Sequence, residues 1–347
     1  MSKYDRDVVV TIQHPANVHF FRNAIHELSE AGYNVHVFAR EKDIACDLLD
    51  VYDIEYTLLA GEAHSLFQLV RVQAKYEYEI LKRTRKMDGA VLLAVSEPAI
   101  THASTCFNCR SILFTDTEHA TIQNTLAYPF ADVICTPASY WGDLGSKHVR
   151  YAGNHQLAYL HPNRFEPDPT VLDAAGVDED EQLVLIRLIA WEAAHDIGHG
   201  GLGNTEAIVE QLERAGATVL ITSETELPRQ LRRHEVDIPP HKILDLMYYS
   251  DLYLGEGSTM ALESAVLGTP AMYVSSYSAG VVDELEREYG LAFRYDEDPD
   301  ETEILDRALS LLAEQPETWQ SRRDQYLEEN TDTTDFIVEA VEAAMDN

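Results

Sequence analysis

Side chains that could move a proton or grip an anion gather in five short stretches of this chain. His14 sits in the turn Gln13-His14-Pro15-Ala16-Asn17, where a neutral imidazole could act as a base toward a hydroxyl, and His19, just before Phe20-Phe21, could cap or pack. Glu97, in Ser96-Glu97-Pro98, stands at a strand-to-helix turn, where a carboxylate also suits the helix dipole. Thr115-Asp116-Thr117-Glu118-His119-Ala120 puts three ionisable groups within four residues, more than a cap requires. Close carboxylates push each other's pKa values apart, so one such site can hold both an acid and a base. The glycine-rich stretch Trp191–Gly201 carries His195 and His199 at a spacing that would pair them on zinc if it were helical. Gly198, Gly200 and Gly201 oppose a helix, and the H-E-x-x-H pattern is absent, so hydrogen bonding to a phosphate or sugar hydroxyl fits His195 better. Arg187, on the strand before it, would add a fixed positive charge for an anion.

The fifth stretch runs from Asp251 to Ala271 and reads as strand, tight turn and helix. Gly255-Glu256-Gly257 makes the turn, a helix opens at Ser258 or Thr259, and Gly268 ends it before Pro270. Free backbone N–H groups at such an opening form a site for phosphate. Gly257, Ser258 and Thr259 would line it, with Glu263 one helical turn further on the same side. The alternative is an ordinary strand-helix unit whose small residues only shape the turn.

Parallel strands alternating with helices would position these loops. Apolar runs at Val8–Ile12, Val35–Ala39, Tyr56–Leu59, Ala90–Val95, Ser111–Phe114 and Val133–Thr136 read as strands with helices between. The pattern lapses between Tyr151 and Pro169, which holds three prolines after His161, and then restarts at Leu183–Ile189. Thr218–Ile221, Ala271–Ser275 and Leu291–Tyr295 continue it, with helices over 206–215, 228–234 and 302–313. The expected domains are 1–155 and 170–318, with a helix over 319–347 packing back on the first domain. In open α/β sheets ligands bind beyond the carboxyl ends of the strands, where the polar stretches fall.

Composition narrows the setting. The 347 residues carry a formal net charge of −34 and only seven lysines. A lysine-poor, carboxylate-coated surface keeps a protein hydrated in concentrated salt, where a Debye length of about 3 Å screens self-repulsion. The expectation is a halophilic, archaeal, cytoplasmic protein. No basic stripe could neutralise nucleic-acid phosphates. There is no N-terminal leader pattern and no apolar run of membrane length, so neither export nor a transmembrane segment is expected. Cys106-Phe107-Asn108-Cys109 lacks a second pair for zinc, and the Asp-x-Asp pairs lie in acidic surface turns, so no metal is expected.

Four stretches together resemble the DUF354 family: Pro15–Phe21, Asp116–Ala120, Trp191–Asp196, and Gly257-Ser258-Thr259-Met260 with Glu263 and Leu267-Gly268-Thr269-Pro270. The resemblance covers nearly the whole chain. It implies an α/β, GT-B-like fold of two Rossmann-like parallel-sheet domains facing across a cleft, with no established activity. More distantly, the order of loops is similar to that of non-hydrolysing UDP-N-acetylglucosamine 2-epimerases. That similarity implies Glu97 and Glu118 as acid/base carboxylates, His195 near the phosphate, and Glu263 on the ribose hydroxyls. The family's His-Arg-x-Glu-Asn loop is not reproduced here, and Gln123-Asn124 stands where a further carboxylate is expected.

The first expectation is therefore a metal-independent glycosyltransferase of the GT-B class, with His14, Glu97, Asp116 and Glu118 as candidate catalytic groups. Its substrate would be a nucleotide-sugar, UDP-linked, with no separate cofactor, an unidentified acceptor, and a homodimer allowed. The alternatives are a UDP-sugar 2-epimerase-like enzyme and a non-catalytic nucleotide-sugar-binding protein.

Overall fold

The strands that carry the candidate loops are apolar on both sides, which only a sheet covered on both faces can satisfy. In a computed structural model, which describes residues 6–61, 66–118, 120–189, 202, 204–296 and 299–346, the chain forms two compact units. One is Met1–Arg164 with Asn330–Asn347, the other Phe165–Glu329.

In the first unit β1 (Asp7–Ile12), α1 (Pro15–Glu30), β2 (Asn34–Arg40), α2 (Ala45–Val51), β3 (Thr57–Ala60), α3 (Leu66–Thr84) and β4 (Val91–Val95) follow in order. Then come α4 (Pro98–Cys106), β5 (Arg110–Phe114), α5 (Thr121–Ala127), β6 (Val133–Pro137), β7 (His148–Tyr151) and α6 (Leu157–Leu160). The seven strands pair in parallel in the order β3-β2-β1-β4-β5-β6-β7. Val91, Leu92, Leu93 and Ala94 are all buried, so β4 is covered on both faces. Leu92 and Ala94 face a cluster with Tyr76 and Ile80 of α3 and Ile100 of α4. Each such aliphatic or aromatic side chain contributes about 1.5–3 kcal/mol by leaving water. Helix α1 buries Phe21, Ala24, Ile25 and Leu28, a three-and-four spacing that makes one apolar face.

The second unit contains α7 (Thr170–Ala175), β8 (Leu183–Leu188), α8 (Thr205–Arg214), β9 (Thr218–Ser223), α9 (Ile243–Tyr248), β10 (Leu252–Gly255) and α10 (Ser258–Leu267). It continues through β11 (Ala271–Val274), α11 (Gly280–Glu284), β12 (Ala292–Tyr295), α12 (Glu301–Leu312) and α13 (Pro316–Glu329). Its five parallel strands run β12-β11-β10-β8-β9.

Three details differ from the sequence expectation. The expected single helix over 319–347 is two: α13 stays with the second unit, and α14 (Thr333–Asp346) packs on α1 and α6 of the first. The break falls at Asp332, whose side chain accepts from Thr334 N at 2.9 Å and starts α14. Arg164 then ties α14 to α1, pairing with Asp332 and Asp335 at 2.6 Å each and with Glu27. The expected connection over 151–169 begins as ordered first-unit structure, through α6 to Arg164, and β7 adds an edge strand beside β6. Residues 228–234 form turns and a short 3-10 segment, Arg232–His234, in place of a helix, and His234 anchors it on Val219 O at 3.1 Å.

Helix α10 ends as expected. Gly268 has φ 91° and Thr269 N bonds back to Ser264 O at 3.0 Å. A Cβ there would also lie 2.8 Å from Arg323 Cδ. Gly268→Ala is expected to lower the unfolding free energy by about 1–2 kcal/mol, read from denaturant midpoints in molar KCl; an unchanged midpoint would show that this cap does not hold α10 in place.

Candidate active site

Loops after neighbouring parallel strands diverge where the strand order reverses, and the crevice between them is the usual ligand position. In the first unit the reversal lies between β1 and β4. Thr11 of β1 and Glu97 after β4 meet there. Thr11 Oγ1 donates to Glu97 Oε2, and Tyr76 OH reaches the same oxygen at 3.5 Å. Glu97 is only 4% exposed. It occupies the N-cap position of α4 yet makes no side-chain capping bond, so capping does not account for it. Burial pushes its carboxyl up to about 7, against the hydrogen bonds of Thr11, Gln13 and Tyr76. The residue before it, Ser96, has φ 48°, an uncommon backbone for a non-glycine, and its hydroxyl donates to Thr115 at 3.0 Å.

The next strand end carries Asp116 and Glu118. Thr117 Oγ1 donates to Asp116 Oδ1 at 3.0 Å, and His155 Nδ1 lies 3.2 Å from Asp116 Oδ2. Burial lowers the His155 imidazole below its usual range, with Asp116 opposing. A neutral ring keeps that contact only with its proton on Nδ1, so Asp116 selects the tautomer. Phe20 covers the ring at a centroid distance of 4.3 Å, and His155 Nε2 is buried with no hydrogen-bond partner among the described residues. Glu118 Oε1 accepts from Trp141 N at 3.1 Å. Sequence reasoning missed His155 because it falls in the stretch read as a connection. The available signal was Gly153-Asn154-His155-Gln156, a polar run directly after a strand.

His14 is exposed and its Nδ1 accepts from Ala16 N at 3.2 Å, so that nitrogen serves as the cap of α1. His19 is a packing residue: it stacks on Tyr159, and burial lowers it to about 3.

In the second unit the order reverses between β8 and β10. Gly255 is dictated by close approach, because a Cβ there would clash with Tyr253 OH and lie 3.0 Å from Arg187 Cβ. Glu256 is buried, and its two oxygens accept from Ile189 N at 3.1 Å and Leu202 N at 2.9 Å. One carboxylate thus joins Ile189, just after β8, to Leu202. Gly257 is the N-cap of α10 and makes no side-chain capping bond; Ser258 is exposed and Thr259 half-buried. The opening amides of α10 thus receive no bond from a side chain at the N-cap. Glu263 is buried inside α10. Arg187 pairs with Glu224 at 2.8 Å, so an anion here would share or displace that carboxylate. His195, with the rest of Trp191–Gly201, lies outside the described residues, as does His119. Among the described residues no group of three or more His, Cys, Asp or Glu is placed to hold a metal ion.

A family model described as a protein of unknown function, DUF354, matches residues 6–346. The uncharacterized protein MJ0665 of Methanocaldococcus jannaschii is 23% identical over 278 residues, 77% of this chain and 81% of that protein. A putative UDP-N-acetylglucosamine 2-epimerase from Listeria monocytogenes matches with a TM-score of 0.70 at 13% identity, over 99% of this chain and 96% of that one. The glycosyltransferase VinC, in complex with dTDP, matches with a TM-score of 0.65 at 13% identity, over 99% and 100%. These likenesses establish the fold: α/β, two Rossmann-like parallel-sheet domains of the GT-B class.

The raised Glu97 carboxyl has a measurable consequence. Between its ordinary value and about 7 the folded chain holds a proton that the unfolded chain has lost. Stability from this group is full below the ordinary value and is lost as pH rises to 7. Glu97→Gln removes the ionisation, so from pH 4 to pH 8 the variant should gain about 3 kcal/mol relative to the parent. Parallel denaturation curves at the two pH values check this; an equal offset at both would mean that Glu97 titrates normally.

Proposed function

This chain belongs to the DUF354 family, and we propose that it is a metal-independent glycosyltransferase acting on a nucleotide-sugar. The observation that carries the reading is Glu97, an acid held near neutrality by burial at the reversal point of a parallel sheet, with Asp116 and Glu118 on the next strand end. Such a set can take and return protons at working pH. The second unit would hold the nucleotide, its diphosphate on the amides of Ser258, Thr259 and Met260 and its ribose toward Glu263. The acceptor oxygen would bond to the anomeric carbon as the bond from that carbon to the phosphate oxygen breaks. Its proton would pass to Glu118 or His14, and the electron pair would leave on the diphosphate. Metal independence rests on what could receive that charge: helix amides, Arg187 and His195.

A second reading is 2-epimerisation of a UDP-sugar, by elimination and re-addition of the nucleotide using Glu97, Asp116 and Glu118. The match to the Listeria protein, together with three carboxylates where one base would serve transfer, favours it. The two readings separate in deuterated water without acceptor, where only the epimerase incorporates deuterium at the sugar carbon. A protein that binds but neither transfers nor exchanges would be a binding protein alone.

Gly257→Asp tests the nucleotide site. Among the described residues a Cβ there meets only Ile189 Cγ2 at 3.8 Å, an ordinary contact, and an N-cap carboxylate supports the helix. That same charge would repel a diphosphate. Calorimetry with a panel of nucleotide-sugars in molar KCl should show dissociation constants raised at least about tenfold, equivalent to about 1.4 kcal/mol, with the melting temperature held or raised. Unchanged affinity would remove the diphosphate from α10. Glu118→Gln should leave binding intact and slow turnover by about 10²–10⁴-fold; full activity in a stopped assay would reassign the base.

A further inference from the structure

Behind Asp116 stands a histidine that packing does not explain. His155 Nδ1 lies 3.2 Å from Asp116 Oδ2, and Thr117 Oγ1 donates to the other carboxylate oxygen at 3.0 Å. The His155 side chain is 9% exposed and that of Asp116 19%, so the carboxylate is the partner more open to a ligand. Phe20 lies against the ring at 4.3 Å between centroids. A phenyl group would fill that space with no nitrogen to desolvate, yet an imidazole is buried there. Its Nε2 has no hydrogen-bond partner among the described residues. The contact that answers for an imidazole is therefore the one to Asp116.

The loop that carries His155 is fixed by the C-terminal segment of the same unit. Thr331 N and Oγ1 both donate to Ala152 O, at 3.4 and 3.0 Å, and Thr333 Oγ1 donates to Asn154 O at 2.7 Å. Asn154 Oδ1 accepts from Leu157 N at 3.1 Å at the start of α6, and Asn154 and Thr333 are both fully buried. The backbone is thus held on either side of the ring. A ring held this way restricts the carboxylate to the rotamer that meets it, so less ordering is left for a ligand to impose. We propose that His155 is a positioning residue for Asp116: its Nδ1–H aims the carboxylate, with Thr117 on the other oxygen, and Thr331 and Thr333 hold the loop behind it. The ring acts through Asp116, and no bond is made or broken on it. This role rests on the reading of Asp116 as one of the proton-handling carboxylates.

The test has two arms, both on the full chain in molar KCl. The first is nitrogen-15 NMR of histidine-labelled protein at about pH 7, with the spectrum of His155→Phe identifying the His155 signals. His155 should be neutral with its proton on Nδ1, and Asp116→Asn should move both ring nitrogens. The second measures turnover of UDP-N-acetylglucosamine, UDP-glucose and dTDP-glucose, by release of nucleoside diphosphate and by epimerisation of the sugar. His155→Phe should lower kcat about 10²-fold with KM changed by less than roughly threefold, the cost of a misplaced group. His155→Asn, whose side-chain amide can donate from the position of Nδ1, should recover about tenfold of that loss. In an Asp116→Asn background, His155→Phe should cost less than roughly twofold, because the group it aims is gone. A merely structural histidine would cost the same in both backgrounds. A proton on Nε2 in the parent, undiminished turnover in His155→Phe, no recovery in His155→Asn, or equal losses in both backgrounds overturns the proposal. If no nucleotide-sugar is turned over, the enzymatic reading falls, and the NMR arm decides alone: a His155 signal unmoved by Asp116→Asn then overturns the positioning role as well.

Discussion

Within each sheet, every described strand runs parallel to its neighbours. Parallel pairing forbids tight hairpins, so a crossover must return the chain after each strand. All carboxyl ends in a sheet therefore emerge on one edge, and the loops there are the parts of the chain released from packing. Thr11, Glu97, Asp116 and Glu118 belong to that edge in one sheet, and Glu256 to Ser258 in the other. Covering helices are needed for the same reason, because strands such as Val91–Val95 have no face that tolerates water.

The two reversal points each hold a buried glutamate, in opposite circumstances. Glu256 accepts from two backbone N–H groups and joins Ile189 to Leu202, which is structural use of a carboxylate. Glu97 has hydroxyl partners and little water, and these do not offset its desolvation, so it keeps its proton near neutrality. His155 is a third buried ionisable group: a neutral imidazole with one nitrogen committed to Asp116 and the other buried without a partner among the described residues. A fold selected for stability alone would replace such groups with apolar ones. Glu97, His155 and the left-handed backbone of Ser96 each cost stability where they stand.

The charge of −34 is carried differently outside these sites. Several arginines pair with neighbouring carboxylates, as in Arg214 with Glu210, Arg232 with Glu226 and Arg233 with Glu213. Exposed pairs of this kind add little stability and are screened further by salt. Arg164 is different, because it is half-buried among three carboxylates and fastens the C-terminal helix.

Periodicity alone was enough for the alternating elements, since apolar runs of five or six residues bounded by Gly and Pro have few other interpretations. The turn Gly255–Ser258 and its stop at Gly268 were equally legible, because cap residues are read from local backbone needs. Asp116 and Glu118 could be picked out as a cluster for the same local reason. What the sequence could not show were pairings between distant residues. Glu97 could be read either as a cap or as a catalytic carboxylate, and only the sheet placed Thr11 and Tyr76 against it. His155 looked like linker until β7 set it beside Asp116. Glu256 looked like a turn residue until Ile189 and Leu202, 67 and 54 positions away, met on it. The difference is physical: capping and periodicity act over a few residues, whereas desolvation and partner choice depend on which segments the folded sheet brings together.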